Sequence, residues 1–269
     1  MQEGKRIMDA FECLSQYYTE YDEDARLTSR HGQVEYLTTM RYIHRYLEPG
    51  MRILEIGAGT GRYSHALARE GYRVDAVELI PHNIEVFESK TAPGEKIAVR
   101  QGNAMDLSSF GDETYDMTLV FGPLYHLYTQ DDKLRVLSEA LRVTKKGGIV
   151  FASYCMSDAS IIGYGFKGGH IFELIEKGLL ETAHFKTSSN PEVVFELLRR
   201  EDIDDMISHF TVTRLHLVAT DLYTDYMRET VDAMDDATFE MYLRYHFSIC
   251  ERPDMAGVSH HTLDIFRKL

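Results

Sequence analysis

The segment Ile53-Leu54-Glu55-Ile56-Gly57-Ala58-Gly59-Thr60-Gly61 limits what this chain can fold into more than any other. An apolar run ends in glycines at 57, 59 and 61, and the stretch RYSHALAREG that follows has helical periodicity. Glycine leaves no Cβ where a backbone turns sharply or a ligand comes close, so the segment predicts a strand turning into a helix around a bound group. The alternation continues downstream. YRVDAVEL (72–79), EKIAVRQG (95–102), TYDMTLVFG (114–122) and GIVFASYC (148–155) read as strands. Between them lie a helix that Pro81 starts and that runs to about Lys90, and a second helix in DDKLRVLSEALRVTKKGG with a glycine stop. Strands this apolar between helices describe an α/β fold with a doubly wound, mostly parallel sheet and helices on both faces.

Two helices are expected ahead of this pattern, one from Asp9 to about Tyr21 and one carrying Val34, Leu37, Met40, Tyr42, Ile43 and Leu47, with Pro49-Gly50 as its stop. After Cys155 the rhythm breaks. Residues 156–190 hold several glycines and one short helix at 170–178, a connection long enough for a lid or a small subdomain. Pro191 to Phe210 reads as a helix capped by Ser189 or Asn190, and TVTRLHLVAT (211–220) as a sixth strand. A helical excursion from Tyr223 to about Cys250 then precedes a seventh strand in VSHHTLDIFRKL. With no repeat and no linker, residues 1–269 are expected to form one seven-stranded domain. Its small helical cap would come from 1–48, 156–190 and 221–256.

Glu78 ends the second strand. In open α/β sheets ligands lie beyond the carboxyl ends of the strands, where an acidic residue binds the two hydroxyls of a ribose. A dinucleotide would require G-x-G-x-x-G, whereas this chain carries G-x-G-x-G and has Arg62 where the third glycine of that pattern belongs.

Together with GNAMDL (102–107), YDMTLV (115–120) and KKGG before the fifth strand, LEIGAGTG and Glu78 make the region from about 50 to 155 resemble the class I S-adenosylmethionine-dependent methyltransferases. The resemblance implies S-adenosyl-L-methionine as cofactor. It implies that Glu55 and the loop of Gly57, Ala58, Gly59 and Gly61 hold the cofactor's amino-acid end, and that Glu78, with Leu79 beside it, takes the ribose. Asn103, Ala104 and Met105 would form the adenine pocket, and Phe121 and Gly122 would border the methionine moiety. Asn103 stands where many members have an aspartate; an amide either accepts from the adenine amino group or donates to a ring nitrogen. The stretch Gly122-Pro123-Leu124-Tyr125-His126-Leu127 resembles a GPLYHL segment in a subset of small bacterial members. Gly122 lacks the side chain with which the N/D-P-P-Y loop of amino-group DNA methyltransferases holds its target nitrogen.

Methyl transfer from a sulfonium is an in-line displacement in which the protein positions the acceptor, excludes water and, for a hydroxyl, takes up a proton. His126 follows the fourth strand beside the expected reaction centre and is the candidate base, against a plain role in packing the 124–128 turn. Tyr125 is the candidate for orienting acceptor or cofactor. Tyr17, Tyr18 and Tyr21 fall on neighbouring parts of one helix face, where they wall the cleft or pack the helix down. Tyr21 and Arg26 are assigned to the cofactor and Tyr18 to the acceptor. Tyr154, Tyr164, Phe166 and His170 complete the expected acceptor pocket, the last three in the glycine-rich GYGFKGGH stretch, for which a surface loop is the alternative.

A formal net charge of −14 supplies no field for a nucleic-acid backbone. It directs the reading to a small-molecule acceptor, neutral or cationic, methylated on N or O, with no nucleic-acid partner. No run reaches the ~20 apolar residues of a membrane span, and the N-terminus lacks a signal-peptide core, so a cytoplasmic protein without a membrane partner is expected. Cys13, Cys155 and Cys250 fit neither a disulfide framework nor a CxxC pattern and read as reduced thiols. The histidines form no HxxxH or HxH array, and adjacent His260 and His261 would face opposite sides of a strand, so no metal is expected. Assembly stays open between monomer and homodimer. The rival readings are a nucleic-acid or protein methyltransferase, which needs an exposed groove or basic patch, and a noncatalytic S-adenosylmethionine-binding protein, because a fold does not secure a chemistry.

Overall fold

The computed structural model describes residues 8–269, so residues 1–7 of the expected cap lie outside the described residues. Two helices come first, α1 (Ala10–Glu20) and α2 (Arg30–Tyr46). Asp9 starts α1 through a capping box, its side chain accepting from the Glu12 N–H and the Glu12 carboxylate accepting from the Asp9 N–H. The apolar runs then become β1 (Arg52–Ile56), β2 (Arg73–Glu78), β3 (Ile97–Gln101), β4 (Tyr115–Val120) and β5 (Thr144–Met156), joined by α3 (Arg62–Arg69), α4 (Pro81–Ser89) and α5 (Gln130–Val143). Beyond β5 lie α6 (Ser157–Ser160), a π-helical stretch at Ile161–Lys167, α7 (Ile171–Glu176), a hairpin of β6 (Leu180–Glu181) and β7 (Lys186–Thr187), and β8 (Leu197–Leu198). The chain closes with α8 (Arg200–Ser208), β9 (Val212–Ala219), α9 (Arg228–Asp232), α10 (Asp236–Ile249) and β10 (His261–Lys268).

Seven strands stand in the order β3-β2-β1-β4-β5-β10-β9, with β8 added in parallel beside the end of β5. The first five strands are parallel, and β10 enters antiparallel between β5 and β9. Strand order reverses between β1 and β4, which opens a crevice at their carboxyl ends. Period-two alternation sends Leu54 and Ile56 of β1 into a core shared with α5 and α8, while Ile53 enters the opposite core with α2 and α3. All three are fully buried, each contributing about 1.5–3 kcal/mol. This anchoring on both faces fixes where the glycine loop after β1 emerges. Among the described residues no helix is long and apolar enough to cross a membrane.

Three expected elements differ. The helix expected over 191–210 is a 3-10 turn at Pro191–Val193, capped by Asn190, then β8, with helix only from Arg200. Val194 takes φ +65°, which ends the turn, and Leu197 and Leu198 pair with Cys155 and Met156 instead. The KKGG stretch does not end the preceding helix: α5 stops at Val143, and Lys145 to Gly148 already belong to β5. The glycine-rich 163–170 stretch is largely π-helical, not an extended loop.

Candidate active site

The turn after β1 is held from below by β2, the Val77 carbonyl accepting from the Gly57 and Ala58 N–H groups at 2.8 and 3.1 Å. A Cβ on Gly57 would overlap Pro123 and the Phe121 carbonyl, and one on Gly61 would overlap the Phe87 ring. Those glycines allow close packing. Gly59 differs: at φ +53° its Cβ direction meets only Glu23 Cγ at 3.6 Å, so this glycine presents bare backbone to an open cavity.

That cavity, about 310 Å³, is lined by the loop, Glu55, Glu78, Leu79 and Gly102 to Met105 on one side and Phe121 to Leu127 on the other. The buried Glu78 carboxylate accepts from the Gly59 N–H at 2.8 Å through Oε2, and from the Ile80 N–H at 2.9 Å and Asn83 Nδ2 at 3.3 Å through Oε1. Burial raises its pKa while these donors pull it back. With two donors on Oε1 and one on Oε2, the lone-pair site left for a hydroxyl is on Oε2. Asn83 Oδ1, also in this cavity, is buried with no partner, an acceptor left open where a ribose would lie. Asn103 Oδ1 already accepts from the Met105 N–H at 2.9 Å, which leaves its NH₂ group as the free function, a donor toward a ring nitrogen. Glu55 lies beneath the loop, bound by the Ser64 hydroxyl; burial pushes its carboxyl up to about 8. With Glu55 protonated, three carboxylates, Glu23, Asp24 and Glu78, line this cavity against Arg26 and Arg62, a balance that favours a cationic ligand. The donor set, the open Asn83 oxygen and the bare Gly59 backbone fit a sulfonium nucleoside.

The segment between α1 and α2 clasps the loop. Asp24 accepts from the Thr60 hydroxyl at 3.1 Å and pairs with Lys90 of the α4 end. Behind this clasp opens a second cavity of about 900 Å³, walled by α1, the π-helical stretch, the 187–197 segment and the 221–228 and 260–261 segments. The two cavities share Tyr18, Glu23, Arg26 and Tyr125. Rings from three parts of the chain gather at this boundary: Tyr17 stacks on Tyr21 at 5.3 Å and meets Phe195 edge-on at 5.4 Å, and Phe195 lies 5.2 Å from His126. The His126 Nδ1–H donates to the Val194 carbonyl at 3.0 Å, so Nε2 accepts from the Tyr18 hydroxyl at 2.8 Å. Burial lowers the imidazole to about 4, which keeps it neutral and able to accept.

Of the expected cofactor residues, Arg26, Glu55, Gly57, Ala58, Gly59, Glu78, Leu79, Asn103, Ala104, Met105, Phe121 and Gly122 come together around the smaller cavity. Gly61 stands behind it, and Tyr21 lines the larger cavity instead, because the chain turns at the end of α1 and carries it past the boundary. Tyr125 borders both cavities, whereas His126 lines the smaller one and reaches the boundary through Tyr18. Tyr18 and Tyr164 line the larger cavity, but three expected acceptor residues do not. Tyr154 is fully buried in the core beneath β5, since strand alternation turns Cys155, its neighbour, to the cavity. Phe166 is exposed on the outer side of its helical stretch, and His170 stacks on Tyr164 at 4.2 Å while binding Glu173. His260 precedes β10, so it and His261 both reach the cavity.

Sequence reasoning missed Glu23, Asp24, Asn83, Phe195 and the trio Glu35, Asp221 and His261, whose ligand-type atoms lie within 4.8 Å of one another. No spacing signal marks that trio, since α2, the end of β9 and the start of β10 bring it together. Its atoms are engaged: Arg26 donates to Glu35 at 2.7 Å, and His261 Nδ1 lies 2.7 Å from Asp221. The three cysteines are free thiols.

Residues 54–152, which carry the glycine loop, Glu78, Asn103 and Tyr125, match the methyltransferase domain family. This region of the chain is a methyltransferase domain, and S-adenosylmethionine is the cofactor that such a domain takes. Over 127 residues the chain is 35% identical to the demethylmenaquinone methyltransferase of Lysinibacillus sphaericus, covering 45% of the chain and 51% of that relative. Over 128 residues it is 37% identical to the ubiquinone biosynthesis O-methyltransferase of Methylocella silvestris, covering 47% and 48%. The chain spans about half the length of these curated relatives. The same fold appears in a SAM-dependent methyltransferase from Methanosarcina mazei (TM-score 0.57, 18% identity, 85% of this chain and 97% of that one). It appears also in the cyclase SpnF (TM-score 0.55, 14% identity, 87% and 81%). A fold shared with a cyclase leaves the chemistry to the site.

Proposed function

We propose that the chain transfers a methyl group from S-adenosylmethionine to nitrogen or oxygen of a small molecule bound in the larger cavity. The observation that carries this reading is the meeting of two differently built cavities at Tyr18, Glu23, Arg26 and Tyr125. In it, Glu78 and Asn83 bind the ribose, Asn103 the adenine, and the Gly57–Gly59 backbone the amino-acid end. The bound cofactor supplies an electrophilic methyl group on sulfur. Tyr18 and Tyr125 stand on the path between the cavities and orient the acceptor atom, and the aromatic wall excludes water. For a hydroxyl acceptor, Tyr18 passes the proton to His126 Nε2, whose other nitrogen is fixed on the Val194 carbonyl. Methylation of oxygen thus uses His126 through Tyr18. The relatives named for quinone biosynthesis support a small-molecule acceptor. A single unit with its cap folded over the cavities, acting without nucleic acid or membrane, is part of the same proposal.

Calorimetric titration with S-adenosylmethionine, S-adenosylhomocysteine and NAD tests it. Micromolar binding of the two sulfur nucleosides with no NAD signal is expected; preferential NAD binding would overturn the reading.

A further inference from the structure

The larger cavity is acidic in a way the proposed reaction does not require. Among the described residues, seven carboxylates line it against three arginine or lysine side chains. Its innermost part explains the excess. Arg26 is shared by two carboxylates, donating from Nε to Glu23 at 2.9 Å and from NH1 to Glu35 at 2.7 Å. His261 is likewise shared, 2.7 Å from Asp221 and 3.5 Å from Glu35. Burial works against its charge, yet Glu35, Cys155 and Asp221 hold the imidazole well above its usual range. Three carboxylates thus face two cations, and one negative charge stays uncompensated.

That charge has an address. Glu23 Oε1 is bound to Arg26, and no hydrogen bond among the described residues reaches its Oε2. Glu23 lines both cavities and leans over Gly59, so its open oxygen lies at the passage between cofactor and acceptor. Around it stand Tyr17, Tyr18, Tyr21 and Tyr125. The Glu23 charge is felt at all four hydroxyls, disfavouring their ionisation, so the rings stay neutral and offer π faces. Neutral aromatic faces around a carboxylate with one open oxygen and an uncompensated negative charge select an organic cation.

We propose, on the strength of the methyltransferase reading, that the acceptor is an amine that enters as its ammonium form and is held at the cavity boundary by Glu23 Oε2 and the tyrosine faces. The ammonium gives one proton to Glu23. Its freed electron pair forms the N–C bond as the C–S bond breaks with its pair going to sulfur, and the product leaves as a methylated ammonium while Glu23 releases its proton to solvent. Glu23 is then an acceptor-binding and proton-accepting residue, and net charge sets specificity.

Three probes of one shape decide this: phenethylamine, 2-phenylethanol and 3-phenylpropionate, titrated calorimetrically with and without saturating S-adenosylhomocysteine. The amine is expected to bind at least tenfold tighter than the alcohol, and the carboxylate weakest. Glu23→Gln should bring the amine-to-alcohol ratio below threefold, a change that loss of packing alone would not produce because both probes fill the same space. Amine binding no tighter than alcohol binding, including no binding of either, or a ratio unchanged in Glu23→Gln, overturns the proposal. Failure of S-adenosylhomocysteine to bind breaks the underlying methyltransferase reading instead, and the amine-to-alcohol ratio of the ligand-free protein still tests this one.

Discussion

The two cavities differ in how the chain builds them. The smaller is made mostly from consecutive strand-to-helix turns between residues 55 and 127, closed by α1 and the clasp after it; the turns after β1, β2 and β4 follow strands that are almost wholly buried. The larger draws on α1, α2, the π-helical stretch, the 187–197 segment and the start of β10, elements far apart in sequence. A ligand that many acceptors must share can be held by local backbone geometry. A ligand particular to one enzyme is recognised by side chains that the tertiary fold brings together from distant segments and loops, and those are the parts that vary.

If that contrast holds, damage to the smaller cavity abolishes nucleoside binding and leaves the larger intact. Glu78→Ala should produce the largest effect. Losing one charge-assisted bond to a ribose hydroxyl and the carboxylate that anchors the Gly59 N–H, at about 1.5–3 kcal/mol each, weakens S-adenosylhomocysteine binding more than about a hundredfold by calorimetry. A loss below tenfold would remove Glu78 from the ribose.

Glu55 sharpens the contrast through pH. Its folded pKa of about 8 lies above the ordinary glutamate value of 4.5, so the folded state holds the proton more tightly than the unfolded state does. The stability this contributes is complete below about pH 4.5 and is lost as pH rises through 8. Glu55→Gln removes the titration, so the variant's stability relative to the parent should rise between pH 5 and pH 8.5, by about 2–4 kcal/mol in urea unfolding. A flat difference would place Glu55 in a wetter setting.

Gly59→Ala should be milder. A left-handed conformation costs a non-glycine residue roughly 1–2 kcal/mol, and the added methyl points into the cavity, so nucleoside affinity should fall about tenfold. Unchanged affinity would move the nucleoside off the loop. Tyr154→Phe should do least: its hydroxyl is buried without a partner, so removal is neutral or stabilises by up to about 1 kcal/mol, and binding in either cavity should stay within twofold. Loss of acceptor-probe binding would return Tyr154 to the cavity wall.

The same contrast explains what could be read from the residues alone. The glycine loop, Glu78 and Asn103 are legible because a backbone turn at a strand end dictates both residue type and spacing. The strands of the parallel core are legible because burial on both faces forces long apolar runs. The segment after Pro191 misleads, since its helical start is cut by the positive φ of Val194 and by pairing of Leu197 and Leu198 with β5, neither of which local periodicity reports. Tyr154 and Cys155 trade roles because one step along a strand exchanges core for cavity. Glu23, Glu35 and His261 carry no motif at all. Only the meeting of α2, β10 and the clasp before α2 brings them to one cavity.

The most direct test of the account is a crystal structure of the chain with S-adenosylhomocysteine. The ribose is predicted on Glu78 and Asn83, the adenine beside Asn103, and the sulfur facing the boundary of Tyr18 and Tyr125 with the larger cavity beyond it. A nucleoside lying in the larger cavity, or a sulfur turned away from that boundary, would contradict the two-cavity account.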